Sequence, residues 1–203
     1  NHAPLIQVNA NSKLTLEGGT ICDNYNFRPA GSDWSNVGGA ISLVGDGNQS
    51  RATLIIKGNA AIKNCTVDSN QPVNESPDSG EFPPYSGGAV IGKYADVYLS
   101  ENGLINGNTA YFMGGGIYLF YDSHFEMTGG EISYNTAKYR EGGGIALGYG
   151  DWHDLPRVTA TITAGKIIHN STQTTVDWGG GGIFVADGAA LTLYNALIER
   201  NSA

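Results

Sequence analysis

Leu14-Thr15-Leu16-Glu17-Gly18-Gly19-Thr20-Ile21-Cys22-Asp23-Asn24 and Phe125-Glu126-Met127-Thr128-Gly129-Gly130-Glu131-Ile132-Ser133-Tyr134-Asn135 are the two stretches that decide the fold. Position for position they share apolar–x–apolar, a Gly-Gly pair, then Ile-x-x-Asn. Looser copies occupy 54–65, 97–108, 162–170 and 191–201, and the copy at 54–65 carries Cys65 where the others carry Asn. Internal self-similarity at this scale marks a repeat architecture.

A second element alternates with the first. It is a glycine pair or run leading into a β-branched residue, as in Gly38-Gly39-Ala40-Ile41, Gly87-Gly88-Ala89-Val90, Gly114-Gly115-Gly116-Ile117, Gly142-Gly143-Gly144-Ile145 and Gly180-Gly181-Gly182-Ile183. Apolar residues recur two positions on, at Ile41/Leu43, Ile117/Leu119, Ile145/Leu147 and Ile183/Val185, which is strand alternation. One repeat therefore reads strand, glycine corner, short strand ending at Asn, variable loop, glycine run, strand, turn. Successive glycine-run β-branched residues lie 27 to 49 positions apart. The shortest spacing sets the minimal repeat, and the excess is loop insertion.

A period in this range without a helical signal predicts a solenoid. Short strands with one Asn per repeat predict a right-handed parallel β-helix, all-β, of about five to six coils, rather than propeller blades. Stacked strands at ~4.8 Å would bring Ile21, Ile41, Ile62, Val90, Ile117, Ile132, Ile145, Ile167 and Ile183 into one core. Asn24, Asn108, Asn135 and Asn170 would form an amide ladder at one corner. The chain starts and stops inside a repeat, so residues 1–203 are expected to form a single domain cut from a longer repeat protein.

Composition agrees with a β-rich, turn-rich chain: of 203 residues 30 are Gly, and 15% are charged against ~25% in an average domain. The formal net charge of −8 and the lack of a basic stripe argue against nucleic acid as a partner. No apolar run is long enough to span a bilayer. Cys22 and Cys65 have no CxxC companion, occupy different places in the repeat and predict neither a metal site nor a disulfide requirement. Asp46-Gly47 and Asp187-Gly188 read as ordinary turns. No calcium-loop pattern occurs, so neither metal nor cofactor is expected.

The Gly-Gly-Ala/Gly-Ile element paired with hydrophobic-x-x-Asn resembles the repeats of bacterial surface β-helix proteins. These include the passenger regions of polymorphic outer-membrane autotransporters, which carry Phe where this chain carries Ile, and adhesin-like repeat proteins of gut bacteria. The resemblance implies an extracellular location, at the cell surface or secreted. Its implication for function is weaker, because the same fold hosts lyases and glycosidases.

Loop insertions point to the working face of a solenoid. They lie at 25–37, 66–86, 109–113, 136–141 and 171–179, and again at 148–157. Aromatic residues concentrate there, with Tyr139 and Trp178 on one wall and Tyr121, Tyr149 and Trp152 on the other. Tyr118, Phe120 and Phe184 occupy the outward parity of the strands between. Two readings compete. These rings could line an open groove in which sugars stack on Tyr and Trp, or the loops could fold down and bury them as a satellite cluster. In the first reading the chain is a non-catalytic adhesin-type module for carbohydrate or a host or cell-surface protein. An enzyme reading would use carboxylates from Asp122, Asp151 or Asp154 in polysaccharide cleavage, with a carboxyl separation of ~5 to ~9.5 Å. The densest polar cluster, Asp151-Trp152-His153-Asp154, is expected to be a solvated loop tip. The outward column Thr15, Tyr98, Glu126, Thr161, Thr192 offers no clustered Asp and no facing Arg or Lys, as a lyase would need. A stalk with idle loops is the third reading.

Overall fold

The computed structural model describes residues 3–28, 38–47, 49–70, 85–148, 157–174 and 179–203. Among them there is no helix, and every strand pairing is parallel. The chain makes six successive passages. The first runs through β1 (Ile6–Asn9), β2 (Lys13–Leu16), β3 (Thr20–Cys22) and β4 (Tyr25–Arg28). The second has β5 (Ile41–Val44), β6 (Ala52–Ile56), β7 (Ala61–Lys63) and β8 (Thr66–Ser69). The third has β9 (Val90–Lys93), β10 (Ala95–Leu99), β11 (Leu104–Asn106) and β12 (Thr109–Ala110). The fourth has β13 (Ile117–Phe120), the ten-residue β14 (His124–Ser133) and β15 (Thr136–Ala137). The fifth has β16 (Ile145–Leu147), β17 (Thr159–Ile168) and β18 (Ser171–Thr172), and the sixth β19 (Ile183–Val185), β20 (Ala190–Leu193) and β21 (Leu197–Glu199).

Three sheets result. The first is β1-β5-β9-β13-β16-β19. The second has two limbs, β2-β6-β10-β14-β17-β20 and β3-β7-β11-β14-β17-β21, joined where β14 and β17 run through the glycine corner with a register irregularity between Met127 and Glu131. The third is β4-β8-β12-β15-β18, extended by a bridge from Ser171 to Ser202. Each passage visits the sheets in the same order, and equivalent repeat positions pair. Leu14 lies beside Leu54, Leu54 beside Val97, and Val97 beside Phe125. The arrangement is compatible with a parallel β-helix.

The core follows from strand parity. Ile41, Ile62, Val90, Ile117, Ile132, Ile145 and Ile167 are all fully buried in one cluster with Leu54, Val97, Phe125 and Ile162. Ile21 and Ile183 depart from expectation. Both are only half-buried, because their passages are the first and last and each has a neighbour on one side alone.

The amide ladder is present at the predicted corner. Asn135 Oδ1 accepts from both N–H (2.9 Å) and Nδ2 (2.9 Å) of Asn108. Asn170 Oδ1 does the same for Asn135, at 3.0 and 2.9 Å, and Asn201 Oδ1 for Asn170, at 2.9 and 3.0 Å. Each amide also ties back to a carbonyl of an earlier passage: Ile62, Ile105, Ile132 and Ile167 in turn. Asn24 departs from the pattern. It is half-buried, donates its side-chain amide to Gly39 O, and is separated from Asn108 by Cys65. The sulfur takes the place of a rung: Cys65 N–H donates to Asn108 Oδ1 (3.0 Å), and the Asn24 backbone N–H donates to the thiol. Burial pushes the Cys65 thiol pKa up, and the Asn24 bond opposes this. Cys22 is exposed, and the two cysteines are not bridged.

The residue before each ladder position is left-handed: Asp23, Asn64, Gly107, Tyr134, His169 and Arg200 all have φ between 53 and 67°. Such a corner turns the chain outward by one residue and returns the next side chain to the interior. The glycine runs have a different cause. A Cβ on Gly115 would fall far inside contact distance of Gly143 O and the Thr136 backbone, so these columns stack main chain directly on main chain.

Candidate functional site

The outward face of the first sheet carries the predicted aromatic column, but not as an open groove. Tyr118 is 0% and Phe120 2% exposed. They stack on each other at 5.1 Å and belong to a second buried cluster with Val67, Tyr85, Ile91, Met113 and Ala146. Of the two competing readings, the satellite cluster and not the open groove holds for these two rings. The residues after the third-sheet strands supply the cover: Tyr111 and Phe112 are buried, and Tyr139 packs on Tyr111 at 4.7 Å. The Arg140 guanidinium caps the Phe112 ring at 5.3 Å, within cation–π reach. Tyr121, Tyr139 and Phe184 are half-buried against this cluster, and Tyr121 stacks nearly flat on Tyr94 at 5.2 Å. Tyr149, Trp152 and Trp178, with the carboxylates Asp151 and Asp154, lie outside the described residues.

Asp122 has a structural engagement. Arg51 reaches across three passages, placing Nη1 3.3 Å from Asp122 Oδ2 and 2.6 Å from Asp122 O, while its Nε bonds Asp96 Oδ1 at 2.8 Å. A guanidinium held by two carboxylates and two carbonyls is a clamp on the corner between the first and second sheets. Glu141 is the one buried carboxyl among the described residues, 2% exposed at the rim of the aromatic cluster, and its Oε1 accepts no hydrogen bond. Burial raises its pKa, against the lowering effect of its own backbone N–H and of Arg140.

Among the described residues an open concavity lies on the outward face of the second sheet. The two limbs meet at the Gly-Gly corner at an angle, leaving a groove of about 550 Å³ lined by Glu101, Asn102, Leu104, Glu131, Lys166 and Asn195, among others. A separate, smaller hollow of about 270 Å³ lies on the first limb, between Ile55, Tyr98, Glu126 and Thr128. Tyr98 is half-buried, with its ring edge-on to His124 at 6.4 Å, and His124 shares a hydrogen bond of 2.9 Å with Thr159. Burial first, then Asp96 and Glu126, raise the Tyr98 phenol pKa, so it stays a donor. Glu101 accepts from Gly58 N–H (2.9 Å) and Glu131 from the Ser133 hydroxyl (2.6 Å). These bonds hold both carboxylates as fixed acceptors along the groove.

In the sequence Tyr98 and Glu126 fall in the outward column that lacks the clustered Asp and facing Arg or Lys of a lyase. The signal missed there was the Gly-Gly corner itself, which bends a flat outward face into a concave one. Among the described residues no group of three or more His, Cys, Asp or Glu side chains could hold a metal ion, and no helix is long and apolar enough to cross a membrane. No protein-family model, no curated protein and no solved structure matches the chain.

Proposed function

We propose that the six passages are coils of a right-handed parallel β-helix that acts, at a bacterial cell surface or secreted, as a non-catalytic adhesin-type module for carbohydrate. The observation that carries this reading is the open groove on the second sheet. It holds hydrogen-bonded carboxylate acceptors and the amides of Asn102 and Asn195, and the neighbouring hollow adds the half-buried phenol of Tyr98, together the donor–acceptor mix that sugar hydroxyls require. A shallow channel of this kind suits an extended chain better than a small molecule, which would need deeper enclosure. Glu101 and Glu131 already accept hydrogen bonds from Gly58 N–H and the Ser133 hydroxyl, an arrangement that suits them as acceptors for a bound glycan.

The test is an array of host and cell-wall oligosaccharides, followed by titration of hits and analysis of the incubated glycan for products. Binding without product is expected. Tyr98→Ala should weaken it roughly tenfold, because a ring stacked on a sugar contributes on the order of 1 kcal/mol beyond area alone. Product formation would replace the reading with polysaccharide cleavage, and silence across the array with a stalk. Binding unaffected by Tyr98→Ala but abolished by Tyr139→Ala would move the site back to the first sheet.

A further inference from the structure

Among the described residues, Tyr134 is the one exposed large hydrophobic side chain outside the first and last passages, with 57% of its surface open. It has a paired passage on either side, so a missing neighbour does not account for this. Its backbone position is also unusual. Register and main-chain bonds align Asp23, Asn64, Gly107, Tyr134, His169 and Arg200 in one corner column, and all six are left-handed. Gly, Asn, Asp and His accept that conformation most readily, whereas a bulky ring such as Tyr adopts it at a cost. The corner needs the left-handed turn but not the tyrosine, and such strain is a pointer to function.

The ring is backed on one face and open on the other. Tyr134 lies flat on His169, with centroids 4.7 Å apart and planes 6° from parallel. Its second face looks back toward the third passage, where the column holds Gly107 and so no side chain. A Cβ built on Gly107 would have Asn64 atoms as all three of its nearest neighbours, with Asn64 Oδ1 at 2.7 Å. Asn64 therefore leans over the gap from the second passage, its Nδ2 donating to Asp23 Oδ1 at 3.3 Å. Tyr134 and Asn64 are two passages apart, about 9–10 Å at the ~4.8 Å spacing of stacked strands. One ring placed midway lies about 4–5 Å from each, near the distance Tyr134 already keeps from His169, and a second ring does not fit. We infer that this gap is a stacking subsite for one pyranose ring, whose C–H face lies on Tyr134 and one of whose hydroxyls donates to Asn64 Oδ1. The surroundings decide between ring types. Asn106, beside Gly107, is a neutral amide held on Ser133 Oγ at 2.8 Å, and Lys63 stands next to Asn64 in the adjoining outward column. The amides suit hydroxyls, and the lysine disfavours a guanidinium, which also stacks on tyrosine. An aromatic side chain would press its second face against a polar amide. The ligand class rests on the carbohydrate reading above, but the site is separate from the groove, which Tyr134 does not line.

Asparagine accepts the left-handed backbone, so two substitutions alter the slot and spare the corner. Tyr134→Asn removes the ring. Gly107→Asn fills the gap, and the atom it crowds, Asn64 Oδ1, is the end of a flexible side chain. The probes are methyl β-glucopyranoside, methyl β-galactopyranoside and methyl α-mannopyranoside, titrated to millimolar concentration and followed by NMR on isotope-labelled protein. At least one is expected to shift the Tyr134 ring signals and to receive saturation at its C–H protons. Each substitution should weaken that response roughly tenfold, while the urea midpoint and circular dichroism stay as in wild type. Tyr98→Ala should leave it unchanged. Pyranoside binding that both asparagine variants retain overturns the inference, and it leaves the groove reading standing where Tyr98→Ala abolishes that binding. No response at Tyr134 to any of the three pyranosides overturns it as well. If N-acetylarginine amide or N-acetyltyrosine amide shifts Tyr134 where the pyranosides do not, the slot is a peptide contact and the carbohydrate assignment falls.

Discussion

Replacing Asn135 with alanine deletes four hydrogen bonds from a corner that solvent does not reach. Its Oδ1 accepts from Asn108 N–H and Nδ2, both at 2.9 Å, and its Nδ2 donates to Ile105 O (3.0 Å) and Asn170 Oδ1 (2.9 Å). Asn108 Nδ2 keeps its bond to Ile62 O, and Asn170 Oδ1 keeps the Asn135 backbone N–H. The Asn108 N–H is left with no acceptor. One stranded buried donor costs about 1–3 kcal/mol and each of the three other lost bonds about 0.5–1.5, so the change should destabilise by about 2.5–7.5 kcal/mol. For a chain of this size that corresponds to a fall in Tm of about 5–30 °C. Asn24→Ala is the internal control. That residue is half-buried and donates one side-chain bond, to Gly39, so its removal should cost about 1 kcal/mol. Urea unfolding followed by circular dichroism compares the two directly. If Asn135→Ala proves no worse than Asn24→Ala, the ladder is not what holds this corner and the reasoning fails. The same logic predicts that Cys65→Asn, which restores the missing rung between Asn24 and Asn108, stabilises by about 0.5–1.5 kcal/mol.

Ile132→Ala, at a fully buried site flanked by Ile105 and Ile167, should cost about 2–5 kcal/mol in the same assay, and a loss below 1 kcal/mol would place the core elsewhere. Gly115→Ala should abolish soluble expression or cut stability severely, since the methyl group would collide with Gly143 O and the Thr136 backbone; Gly47→Ala, where nothing is near, should meet only the cost of its φ of 99°. Glu141 gives a pH signature. Its folded pKa lies above the unfolded value near 4.5, so the folded state binds the proton more tightly. Stability is then greatest below that value and falls as pH rises toward the folded pKa. Glu141→Gln should remove this decline and stabilise the protein at neutral pH, and a variant that retained the wild-type slope in urea titrations at several pH values would rule Glu141 out as its source.

What the sequence determined by itself is whatever depends on repetition. Period-two alternation chose the inward residues, from Leu14 and Leu16 to Leu191 and Leu193, because a side chain's face on a strand is a local property. The recurring Asn announced its own ladder, since in parallel stacking equivalent positions meet. Glycine runs marked the places where main chains touch. Contacts between non-equivalent positions were invisible at that level. Arg51 and Asp122 are 71 residues apart and meet because the corner that carries each recurs in every passage, with one intervening pass at Asp96. Tyr118 and Phe120 have outward parity yet are buried, because parity says which way a ring points and not what comes to cover it. The groove beside Tyr98 and Glu131 likewise exists only once two limbs of one sheet meet at an angle, and that angle is set by stacked backbones rather than by any single residue. The left-handed corners show the same division. Nothing in Tyr134 favours a φ of 56°, and it is the buried amide of Asn135, held from both sides of the stack, that accounts for it.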